Sequence, residues 1–189
     1  MRGGYLELTN IPADVKAQLT KLASLTLCSN VVGQFAMGLM IKPPRAGEPS
    51  FAKYESERRA ILDSLFSRAK RIAKALNELP GISCNAAEGA MYLFPRLHLP
   101  ESAVEAAEAA KVPADEWYCL RLLDATGLVV VPGSGFRQVE GTYHFRTTFL
   151  PADDALSDVL SKLARFHRGF MNQYGAGGDP NMDPKPVVV

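Results

Sequence analysis

Cysteine is scarce and scattered, with Cys28, Cys84 and Cys119 the only three in 189 residues. They lack the close spacing of a zinc site or a redox pair, so buried free thiols in a reducing compartment are expected. That makes the cytoplasm the default location, with the mitochondrion as the alternative. The C-terminal Val187-Val188-Val189 does not match the peroxisomal Ser-Lys-Leu signal. Charge of one sign is missing too: 21 Lys plus Arg face 20 Asp plus Glu, a net +1. Without a basic stripe to meet phosphates, nucleic acid is excluded as a main partner. No uninterrupted apolar run is long enough for a membrane span. Met1-Arg2-Gly3-Gly4 leads into polar sequence, which is no secretory signal. His98 and His167 have no ligand partners at metal spacing, so no metal is expected. Internal repeats are absent.

What is present alternates helix and strand. Residues 5–8 alternate like a short strand, and a helix is expected over 12–25 with Pro12 at its tolerated first position. Residues 30–41 are apolar nearly all round, the pattern of a buried helix. A Pro-rich bend at 43–49 precedes a long amphipathic helix over 50–79. There Leu62, Leu65, Phe66, Ala69, Ile72, Ala73 and Leu76 share one face. Arg58, Arg59, Arg68, Lys70 and Arg71 lie mostly elsewhere, as on a solvated face. Short strands follow at 82–84 and 91–94, helices at 102–111 and 114–125, and strands at 128–131 and 142–149. A final helix spans 153–172, and the Gly- and Pro-rich residues from 175 are expected to be disordered. The order implies an α+β domain, a small, mostly antiparallel sheet with helices packed on it.

The residue that carries most chemistry is Arg146, in Gly141-Thr142-Tyr143-His144-Phe145-Arg146-Thr147-Thr148-Phe149. Alternation puts Tyr143, Phe145 and Phe149 on one face and Thr142, His144, Arg146 and Thr148 on the other. An arginine flanked by apolar residues on a strand is costly unless its fork meets an anion, and a carboxylate is the natural bidentate partner. The competing reading is a structural salt bridge with a nearby Asp or Glu. Gly133-Ser134-Gly135 could cradle a phosphate, but a tight turn beside Arg146 is the better reading. His144 could be an acid or base, or a hydrogen-bonding neighbour. Trp117, Tyr118 and Tyr92 read as core packing.

The Arg146 run, Val129-Val130-Val131-Pro132-Gly133-Ser134-Gly135-Phe136 and Glu88-Gly89-Ala90-Met91-Tyr92-Leu93-Phe94-Pro95 together resemble the C-terminal part of alanine aminotransferases. These are pyridoxal-phosphate enzymes of fold type I. The resemblance extends from Arg2-Gly3-Gly4-Tyr5 to about Tyr174. Cys119-Leu120-Arg121-Leu122-Leu123 and Leu163-Ala164-Arg165-Phe166-His167 match the alanine branch most closely. It implies that Arg146 grips the substrate α-carboxylate and that Arg2 meets the phosphate of pyridoxal 5'-phosphate. It also implies the end of a large domain over 1–29, a small domain over 30–174, and a tail over 175–189.

In that family a lysine shortly before Arg-Gly-Gly holds the cofactor as a Schiff base. Only Met1 precedes that segment here, and no lysine in the sequence has a matching context. The chain is therefore expected to be a C-terminal portion, inactive alone, because the chemistry needs that amine. The intact enzyme would be a homodimer acting on small amino acids and 2-oxo acids, exchanging the amino group between L-alanine and 2-oxoglutarate. A glutamate–glyoxylate-type aminotransferase and a non-catalytic module that binds an aminotransferase are the alternatives.

Overall fold

The structure, a computed structural model, describes residues 3–175, so Arg2 and the tail beyond Gly175 lie outside it. The chain divides into two compact units, Met1–Arg59 and Ala60–Val189. In the first, α1 (Ala13–Ala23) starts one residue after Pro12, whose extended backbone makes it the cap and not the first helical residue. Helix α2 (Val31–Ile41) is capped by Asn30, whose side chain accepts the N–H groups of Val32 and Gly33. That cap satisfies two donors a helix start otherwise leaves unpaired.

Two expectations fail in this unit. Residues 5–8 form no strand. A short alternating run has no ladder without a neighbour to take its N–H and C=O groups. Helix α2 is not buried: Phe35 is 71% exposed and Leu39 65%, and Gly33 alone is covered. Its pattern demands apolar cover on every side, which this unit does not supply.

Helix α3 (Phe51–Asn77) begins in the first unit and ends in the second. Near its start, hydrogen bonds from Arg58 and Arg59 hold the Glu55 carboxyl down at about 2. Ala69, Ile72, Ala73 and Leu76 are buried as expected, while Leu62 and Phe66 remain exposed. The basic run is more than a solvated face. Arg68 donates to the carbonyls of Leu150 and Pro151, and Arg71 pairs with Asp153 at 2.8 Å, tying α3 to the segment after the last strand.

The second unit carries the sheet: β1 (Ile82–Ser83), β2 (Tyr92–Leu93), β3 (Arg96–Leu97), β4 (Val131–Pro132) and β5 (Tyr143–Thr148). Every pairing is antiparallel, with β5 central between β4 on one edge and β2 and β3 on the other. The sequence reading missed β3 because Pro95 interrupts the run. The pairs Tyr92↔Thr148 and Arg96↔His144 share one register, so β2 and β3 are one line of chain. Phe145 donates to the Pro95 carbonyl, but proline has no N–H to return, and the ladder breaks there.

Helices α4 (Glu101–Ala109), α5 (Ala114–Thr126) and α6 (Asp153–Tyr174) pack with this sheet. Gly127, with φ of 73°, ends α5 in the left-handed conformation glycine adopts without strain. At the centre lies Tyr118, fully buried among the rings of Phe145, Phe166 and Phe170. Its hydroxyl meets His167 Nδ1 at 3.0 Å, and His167 Nε2 meets the Pro80 carbonyl at 2.6 Å. A carbonyl only accepts, so Nε2 carries the proton and Nδ1 accepts from the tyrosine. Burial pushes the His167 pKa down. The expected α+β architecture is therefore the observed one.

The thiols differ from expectation. Cys119 is buried, Cys84 half-buried and Cys28 exposed on the first unit. Burial, aided by Asp115 and Glu116, raises the Cys119 thiol to about 12.

Candidate functional site

Strand alternation gives the sheet two unlike faces. Leu93, Pro95, Leu97 and Phe145 point into the core, while Tyr92, Phe94, Arg96, His144, Arg146 and Thr148 share the open face. Continuing the register through Pro95 places Phe94 opposite Arg146, and β4 places Val131 opposite it on the other edge.

Arg146 is held by rings. Its guanidinium lies 4.7 Å from the Tyr92 ring centroid and 4.8 Å from that of Phe136. Phe136 reaches the site from a 3-10 turn over Gly133–Phe136. Among the described residues no carboxylate pairs with Arg146, so the structural salt bridge weighed from sequence is not formed. Arginine stacks on aromatic faces while its N–H edge stays open to a planar anion. The arrangement can therefore bind a carboxylate in a geometry fixed by two flanking rings.

Around Arg146 the turn is tied down from within. Asp115, in the first turn of α5, accepts the Ser134 N–H at 2.6 Å and the Gln138 side-chain N–H at 3.1 Å through Oδ2. Since Ser134 N–H is engaged internally, Gly133-Ser134-Gly135 is a tight turn and not a phosphate cradle. Gln138 Oε1 lies 2.9 Å from His144 Nδ1. The His144 ring stacks on Phe94 at 4.9 Å, and Phe94 meets Phe136 edge-on at 5.8 Å. Desolvation lowers the His144 pKa first, helped by Arg96 and His98 and opposed by Asp115.

Sequence reasoning singled out Arg146 and its neighbour His144, which share the open face, but misread Tyr92, which is 46% exposed beneath Arg146 and not core. Tyr118 is core as read, and Trp117 packs partly buried against it. Phe136, Asp115 and Gln138 were missed. Strand alternation could have placed Tyr92 by continuing β2 against β5; nothing local marks Asp115, which reads as an ordinary helix-start acid.

No family model matches the chain. Over 173 residues, 92% of its length, it is 53% identical to the mitochondrial alanine aminotransferase 2 of Arabidopsis thaliana and covers 32% of that protein. Human alanine aminotransferase 1 is 50% identical over the same share, with 35% of its length covered. Among solved structures, the alanine aminotransferase from Pyrococcus furiosus matches 82% of this chain and 34% of its own, with a TM-score of 0.63 and 28% identity. An aspartate aminotransferase from Thermotoga maritima, 21% identical, shares the fold over 81% of this chain and 33% of its own, with a TM-score of 0.57. The architecture is thus that of part of a fold-type I aminotransferase. Within that class the chain is homologous to the alanine aminotransferases, pyridoxal-phosphate-dependent transaminases of whose length it spans about a third.

The described residues do not by themselves fit that cofactor. No lysine stands on the open face of the sheet. A cavity of about 570 Å³ beside Gly3, Gly4 and Asn30 in the first unit has no lysine or arginine among its described lining residues. A phosphate there would meet hydroxyls and backbone dipoles without a cation. Arg2, the residue carried over for that role, lies outside the described residues.

Proposed function

We propose that this chain is the substrate-gripping portion of an alanine transaminase that moves the amino group between L-alanine and 2-oxoglutarate, giving pyruvate and L-glutamate. The observation that carries this is Arg146, set between Tyr92 and Phe136 with no carboxylate partner among the described residues. A bidentate bond from its guanidinium fixes two atoms of an amino acid, and so the direction of the Cα–H bond. That is an orientation effect, worth most when the reacting bond must be aligned. Arg2 is the residue we assign to the cofactor phosphate.

Three further statements belong to the same reading. The chain alone is inactive in transamination, since no lysine in it has the Schiff-base context. The working form is a homodimer, as the resemblance to fold-type I aminotransferases implies. Its compartment is the cytoplasm, as the free thiols suggest, or the mitochondrion, as the names of the plant and Dictyostelium relatives suggest.

The test is a donor and acceptor panel run on the complete enzyme and on this chain with added pyridoxal phosphate. Alanine with 2-oxoglutarate should lead for the former, and no turnover should appear for the latter. A preference for glyoxylate as acceptor would replace the substrate assignment.

A further inference from the structure

The contacts behind the Arg146 grip form a chain of forced choices. Asp115 is 1% exposed, and its Oδ2 accepts from both the Ser134 N–H and Gln138. The Gln138 amide must therefore turn its nitrogen toward Asp115 and its oxygen toward His144. An amide oxygen only accepts, so His144 Nδ1, 2.9 Å away, must carry hydrogen. The ring so fixed lies 5° from parallel with Phe94, Phe94 meets Phe136 at 87°, and Phe136 flanks the Arg146 guanidinium. Gly133 makes room: a Cβ there would collide with Gln138 Oε1 and stand 2.9 Å from the His144 Cβ.

We infer that Asp115 and Gln138 are positioning residues for the carboxylate grip, locking His144 as its Nδ1–H tautomer so that Phe94 and Phe136 hold the Arg146 fork in place. The tautomer follows from hydrogen-bond geometry alone; the effect on a carboxylate rests on the function proposed above. A hydrogen bond that merely braced the turn would show the same tautomer but would leave substrate affinity alone.

The tautomer is read on the full 189-residue chain. Two-bond proton–nitrogen correlation of the His144 ring at pH 8, where the ring is neutral, should show Nδ1–H in the parent. Gln138→Met, similar in length but unable to bond either neighbour, should show loss of that single state. Gln138→Glu, which keeps an acceptor for His144 but cannot donate to Asp115 as a carboxylate, is the second variant should the first fold poorly; it should keep the Nδ1–H ring and still raise KM for alanine, because its tie to Asp115 is lost. In the complete enzyme Gln138→Met should raise KM for alanine about two- to fivefold, the weight of one partly exposed cation–π contact, with kcat little changed. An Nε2–H ring in the parent overturns the inference, and so does a Gln138→Met enzyme with parental KM. If Arg146→Ala also left alanine kinetics untouched, the functional reading would fail while the tautomer result stood.

Discussion

Removing the Arg146 guanidinium tests the central claim, and the structure sets the size of the effect. The side chain is half-buried between two rings, and no internal carboxylate compensates it among the described residues. A substrate carboxylate held by its fork would gain two charge-assisted hydrogen bonds. Truncating one partner of such a pair costs about 2–5 kcal/mol. At 1.36 kcal/mol per tenfold, Arg146→Ala should lower kcat/KM for alanine by roughly 30- to 5,000-fold in the complete enzyme, nearer the low end because the site is partly open. Arg146→Lys keeps the charge but loses the planar fork and its stacking, so it should fall between the two. The assay is steady-state transamination of alanine with 2-oxoglutarate, run beside a primary amine that lacks the carboxylate. Turnover of the amine, already poor, should be unchanged by either substitution. An Arg146→Ala enzyme within threefold of the parent on alanine would refute the argument, as would an equal loss on both donors.

Other consequences can be checked on the chain itself. Gly133→Ala forces a methyl against Gln138 and His144, and should cost about 1–3 kcal/mol in a denaturant titration. His167 and His144 both have folded pKa values below the unfolded one, so the unfolded state binds more protons. Stability should therefore be full above about pH 6.5 and fall as the pH drops toward the folded values, at most about 1.4 kcal/mol per pH unit for the buried His167 and less for the more exposed His144. His167→Gln should remove part of that slope; an unchanged slope would assign it elsewhere. A thiol reagent at neutral pH should label Cys28 quickly, Cys84 slowly and Cys119 only after unfolding, because access falls in that order and burial raises the pKa of Cys84 and Cys119. Arg68→Ala should cost about 1–2 kcal/mol by leaving the Leu150 and Pro151 carbonyls without their donor.

The sequence determined the helices and the two faces of β5, because a period of 3.6 or 2 residues in apolar side chains is a local property. It also marked Arg146 as a charge that needs an anion. Where it failed, the deciding partner was distant in the chain. Pro95 hid β3, since only the register against β5 shows that Tyr92 and Arg96 lie on one line. The apolar pattern of α2 says that it seeks cover, not whether cover is present. Tyr92, Phe136, Asp115 and Gln138 became parts of a site only once β2, the turn and the start of α5 were brought beside β5. Periodicity tells a side chain which way to face; tertiary packing decides what it meets there, and the chemistry of Arg146 depends on that meeting.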